Sequence, residues 1–133
     1  ILIRFLQLMC EGHYGPNQDV MREQINKTNS INLLDDLVDY LVCVSHIPSP
    51  TSITAAIAIG ATILEVIQGP CEGNQDHFAL NTVLIETLNH LLRAPTDGKN
   101  GDIIEELSLK KTAIDIFQAL LEGQGKKVNV YER

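Results

Sequence analysis

Tryptophan is absent from this 133-residue chain, and phenylalanine and tyrosine occur three times each. An interior must therefore be aliphatic, built from Leu, Ile, Val and Ala, a palette that suits packed helices better than a β-sandwich. Cysteine is scarce and odd in number, at three residues, so the thiols cannot all pair. With no Cys-x-x-Cys and no signal-like start, a reducing compartment is expected. Positive charge is short: ten Lys and Arg stand against 17 Asp and Glu, a formal net charge of −7. That balance argues against nucleic acid and against anionic lipid surfaces, both of which need a cationic face. The longest apolar run, Ile53 to Leu64, is too short to span a bilayer. No phosphate-binding glycine loop occurs, and residues 94–101 read as a plain exposed loop.

What is present is helical periodicity. A first helix runs to Met9 or Cys10 and stops near Gly12. Gly15-Pro16 restarts the chain into a short helix, roughly Asn17 to Asn26. Asn29 or Ser30 is the expected cap of a helix over Ile31 to Ser45, with Leu34, Leu37, Val38, Leu41 and Val42 as its apolar stripe. After Ile47-Pro48-Ser49-Pro50, Thr51 or Ser52 is expected to cap a helix that runs to Ile67 and stops at Gly69-Pro70. That helix is apolar nearly all round and belongs at the centre of the packing. A short helix near Asn74 to Leu80 and another over Thr82 to Arg93 follow, the latter with Val83, Leu84, Leu88, Leu91 and Leu92 inward. Asp102 caps a last helix to Glu122, ended by Gly123, with Glu106 and Lys110 as an i,i+4 pair. Both ends of the sequence read as cuts through a longer chain.

An internal repeat is visible. Cys10-Glu11-Gly12 is followed by Asn17-Gln18-Asp19, and Cys71-Glu72-Gly73 by Asn74-Gln75-Asp76. Repeat units of roughly 1–68 and 69–123 result, each Cys-Glu-Gly reading as a turn at the end of a long helix. The expected fold is all-α, an armadillo-like stacked-helix (α-solenoid) fragment of about seven helices, long helices side by side with like ends together.

Glu65 is the clearest chemical signal. It is the only Asp, Glu, Lys or Arg from Leu41 through Cys71. A carboxylate near the end of an apolar helix, against the dipole, must be paired, coordinated or protonated. Glu11 is placed in the same way. A cation between them, with Gln68 adding an amide oxygen, suits Ca²⁺ better than zinc. The plainer alternative is an ion pair from Glu65 to Arg4, Arg22 or Arg93. A zinc set from Cys10-x-x-His13 and Cys43-x-x-His46 is less favoured than packed thiols and capping imidazoles. A Cys-His nucleophile at the same residues lacks an orienting third group and an oxyanion hole, so no enzyme is expected.

Phe5–Gln18 (FLQLMCEGHYGPNQ), Asn26–Leu41 (NKTNSINLLDDLVDYL) and Leu64–Gln75 (LEVIQGPCEGNQ) resemble the RIH-associated domain shared by ryanodine receptors and inositol trisphosphate receptors. Beyond about residue 93 only a helical pattern persists. The resemblance implies a cytosolic module of a tetrameric, intracellular ligand-gated calcium-release channel, on the cytosolic face of the endoplasmic reticulum or another intracellular membrane. It implies that Glu11, Glu65 and Gln68 are ligands of an activating calcium ion. It also implies that the site is incomplete here, its remaining ligand a backbone carbonyl of a separate C-terminal domain of the same channel. The short Ile47–Ser52 connection and Tyr14-Gly15-Pro16 after His13 depart from the ryanodine receptor pattern and point to a divergent relative. The alternative is a non-channel armadillo-like scaffold in the cytoplasm or cytoskeleton that binds a protein partner.

Overall fold

The computed structural model describes residues 1–25, 28–47, 49–99 and 101–122. Among them are seven α-helices and no strand: α1 (Leu2–Met9), α2 (Gly15–Arg22), α3 (Leu33–Ser45), α4 (Pro50–Ile67), α5 (Glu72–Asn81), α6 (Leu84–Arg93) and α7 (Ile103–Leu121). The all-α expectation therefore holds. Gly123 and the end of the chain, and Asn26 and Lys27, lie outside the described residues.

Several boundaries differ from those read in the sequence. Ser30 does not cap α3, because its hydroxyl receives the Gln24 N–H at 3.0 Å; Asn32 caps instead, accepting the Leu34 N–H at 3.0 Å. α4 begins at Pro50, one residue before the expected caps, and Ser49 accepts the Ser52 N–H at 3.1 Å. Proline at a first helical position loses nothing, since its missing N–H would be unsatisfied there anyway. Asp102 caps α7 as expected, accepting the Ile104 N–H. The largest correction concerns the second Cys-Glu-Gly. It ends no helix; Cys71 is the N-cap of α5 and Glu72 lies in its first turn. Val83, expected inward, is exposed at the start of α6.

α4 is the axis of the molecule, packed against α1, α3 and α7. By length and composition it is long enough and apolar enough to cross a membrane, yet here it is the core helix. Ile59, Ile63, Val66 and Ile67 are all buried, and each such side chain contributes about 1.5–3 kcal/mol of transfer free energy. Gly60 lets α7 approach: a Cβ at that position would stand 2.7 Å from Thr112 Cγ2. On the other side the Thr62 hydroxyl donates to Ile3 O of α1 at 3.3 Å. Phe78 of α5 and Leu84 and Leu88 of α6 complete the interior.

Candidate functional site

The C-terminal ends of α1, α4 and α7 are tied together by side-chain amides from two short helices. From the first turn of α2, Asn17 donates to Met9 O of α1 at 2.7 Å. Its neighbour Gln18 donates to Glu65 O and Gln68 O, at 2.8 and 2.7 Å. In α5 the same pair acts one step along. Asn74 donates to Val66 O of α4 at 2.8 Å and to Gln18 O at 2.9 Å. Gln75 donates to Ala119 O and Glu122 O of α7, at 2.6 and 2.9 Å. The last carbonyls of a helix lack intrahelical donors, and a buried one must find a partner. Gln18, Asn74 and Gln75 are themselves almost fully buried. The repeated Asn-Gln-Asp string thus has a mechanical meaning that the sequence showed only as punctuation.

Two turns meet at this end. After α1 the chain turns through Gly12 at φ +78° and His13 at φ 59°, both left-handed. After α4 it turns through Gly69 at φ +101°. A Cβ on Gly69 would lie 2.5 Å from that of His13, so only glycine fits beneath the histidine. The Cys-Glu-Gly-His turn therefore rests on the Gln-Gly-Pro turn, which brings the segment of Glu11 beside that of Glu65 and Gln68.

Glu11 is exposed, and Glu65 and Gln68 are half-buried. Neither acid forms an ion pair among the described residues. Arg22, one partner considered for Glu65, is engaged elsewhere: it donates to Asn74 Oδ1 at 2.5 Å and pairs with Asp19 at 3.4 Å. Cys10 is fully buried between the turns. Its thiol is pushed up to about 11, first by burial and then by the charge of Glu65 and by Cys71. Burial also raises Cys71.

The donor chemistry here is hard oxygen: two carboxylates, one amide and helix-end carbonyls. Calcium takes six to eight such ligands. No group of three or more His, Cys, Asp or Glu capable of holding a metal occurs among the described residues. Two carboxylates and one amide are fewer oxygens than calcium takes. The zinc alternative is not assembled. Cys10 sits at the C-terminal end of α4. His46 sits at the other end, bonded through Nδ1 to Val42 O at 2.8 Å and stacked on His90.

Seven packed helices, with short amide-bearing helices bracketing the ends of longer ones, define an all-α helical module. Residues 1–92 match the family described as RyR and IP3R Homology associated, and the chain belongs to that family. The match ends where the sequence resemblance fades. The chain is also 29% identical over 141 residues to the inositol 1,4,5-trisphosphate receptor itr-1 of Caenorhabditis elegans, an alignment covering 92% of this chain and 5% of that receptor. It therefore spans only a small part of that relative.

Proposed function

We propose that this chain is a regulatory module of an intracellular calcium-release channel, in which Glu11, Glu65 and Gln68 present part of an activating calcium site. The observation that carries the reading is the seating of the His13 turn on Gly69, which juxtaposes the two acid-bearing segments, together with the absence of any ion pair to either acid among the described residues. A bound calcium ion would supply charge neutralisation between Glu11 and Glu65. The chain's own contribution is positioning. Gln18 holds the carbonyls of Glu65 and Gln68, Asn17 holds the end of α1, and the two turns cannot drift apart without breaking buried hydrogen bonds. Oxygens lacking here come from a C-terminal domain of the same channel, so the ion draws two domains together and biases a closed–open equilibrium.

The parent would be a tetramer on the endoplasmic reticulum membrane with this module on the cytosolic side. Armadillo-like neighbours would cover the outer apolar positions of α1 and α7, where Leu2, Phe5, Leu8, Ile104 and Leu107 are exposed. The test is calcium activation of the full-length parent carrying Glu11→Gln and Glu65→Gln. Activation should move to much higher calcium, with expression and assembly unchanged; an unaltered calcium dependence sinks the proposal.

A further inference from the structure

At the other end of α4 lies a cavity of 340 Å³. The ends of α3 and α6 and the first turns of α4 and α7 border it, open to solvent on one side, with Val44, Ile53, Ala56, Leu91 and Leu109 in an apolar lining. Its volume is in the range of small-molecule sites, roughly 300–1,000 Å³. Two imidazoles, His46 and His90, stack in its wall with ring centroids 5.2 Å apart and planes within 8°.

Glu106 is also part of the wall and is 6% exposed. Its Oε2 accepts the Gly98 N–H at 3.2 Å. Its Oε1 is buried without a hydrogen-bond partner, the one such side-chain atom among the described residues. A buried carboxylate oxygen in that state calls for a donor; it has almost no surface open to the cavity as it stands, so a donor there meets it when the side chain turns. Lys110, the expected i,i+4 partner, does not supply it. The Lys110 ammonium donates instead to Leu92 O at 3.1 Å and Ala94 O at 2.5 Å, closing the end of α6.

The charge that the cavity would favour follows from its other polar atoms. The start of α4 shares this wall, and helix starts ordinarily favour anions. Here that start offers the cavity little: Thr51 is exposed and lies outside the wall, and the N–H groups beside it are taken or absent. Pro50 has no N–H, Ser52 N–H goes to Ser49 Oγ, and Ile53 N–H goes to Ser49 O at 3.2 Å. The open valence is an acceptor, in the first turn of α7, where a helix favours negative charge. A metal ion is a poor fit, since no cluster of three His, Cys, Asp or Glu occurs among the described residues.

We propose that this cavity binds a small organic cation, its ammonium or amidinium group held by Glu106 and its apolar body against the His46–His90 stack and the Leu91–Leu109 side. The site is separate from the acidic pair: Ser52 and Glu65 are about 20 Å apart along α4, at ~1.5 Å per residue.

The test is a titration of the full chain with 4-phenylbutylamine, followed by amide chemical shifts. Saturable shifts should centre on His46, His90, Leu91 and Leu109. Glu106→Gln, which keeps the side-chain shape, should weaken binding by about tenfold or more, as should replacing the amine by neutral 4-phenylbutanol on the unaltered chain. Ala56→Leu should block the amine by filling the apolar end. Thermal melts report whether each variant folds. Should Glu106→Gln not fold, the amine–alcohol comparison decides alone. The proposal is overturned by no saturable shift at millimolar amine, meaning that the cavity holds water only. Equal binding of amine and alcohol, unchanged affinity in Glu106→Gln, or a preference for 4-phenylbutanoate would overturn it too.

Discussion

Cys10 is 0% exposed and has its thiol pushed up to about 11 from an ordinary 9.0, with burial the leading cause. Below about pH 9 folded and unfolded chains both carry the thiol, and its full contribution is present. As pH rises towards 11 the unfolded chain ionises first, so stability falls by up to roughly 3 kcal/mol, from about 1.4 kcal/mol per unit. Denaturant unfolding near neutral pH and near pH 11 should show this loss, and Cys10→Ala should diminish it. Exposed Cys43 should alkylate first in the folded chain and Cys10 only on unfolding; fast modification of Cys10 would contradict the buried placement. Gln18→Ala and Gln75→Ala each strand two helix-end carbonyls. Each should cost about 1–3 kcal/mol, and because they serve different helices the double variant should be near additive. The sequence displayed these amides as a repeated string. It did not display their role, because their partners are carbonyls some fifty residues away, and local pattern says nothing of such distances.

Helices were legible as elements because their apolar positions recur with helical spacing, and Asp102 was legible as a cap because its side chain takes the Ile104 N–H two residues on. Ser30 misled because its hydroxyl is held by the Gln24 loop, a contact outside any helix pattern. Cys71-Glu72-Gly73 misled because it shares letters, but not geometry, with Cys10-Glu11-Gly12. Gly60 offers a test at this scale. Alanine is a better helix former than glycine by about 1 kcal/mol, so an exposed position would gain stability. Here the added Cβ meets Thr112, a β-branched side chain with little freedom. Gly60→Ala should lower stability by about 1–3 kcal/mol. Thr112→Ser, which removes the clashing methyl and keeps the hydroxyl bond to Ser108 O, should restore most of it.

At the scale of the molecule, the outer helices expose apolar side chains at helical spacing: Leu2, Phe5 and Leu8 on α1, and Ile104, Leu107 and Ile114 on α7. Left uncovered, such faces favour self-association. Sedimentation should show concentration-dependent association of the chain, which Phe5→Glu with Leu107→Glu reduces while the helical circular dichroism signal is retained. A monomer at all concentrations would remove this account of those faces. Glu65 stood out in the sequence as an isolated charge in an apolar stretch. The cavity did not, because Glu106 reads in sequence as one more first-turn acid with a lysine a turn away.

The Asn-Gln brackets grip α1, α4 and α7 at one end only, like the ribs of a hand fan at its rivet. A rotation of α4 about that end would displace the acidic turns least and the cavity most. Over the 18 residues of α4, about 27 Å at 1.5 Å per residue, a tilt of about 5° moves the far end by about 2 Å. A tilt of α4 about the riveted end would therefore reach the cavity as a change of shape.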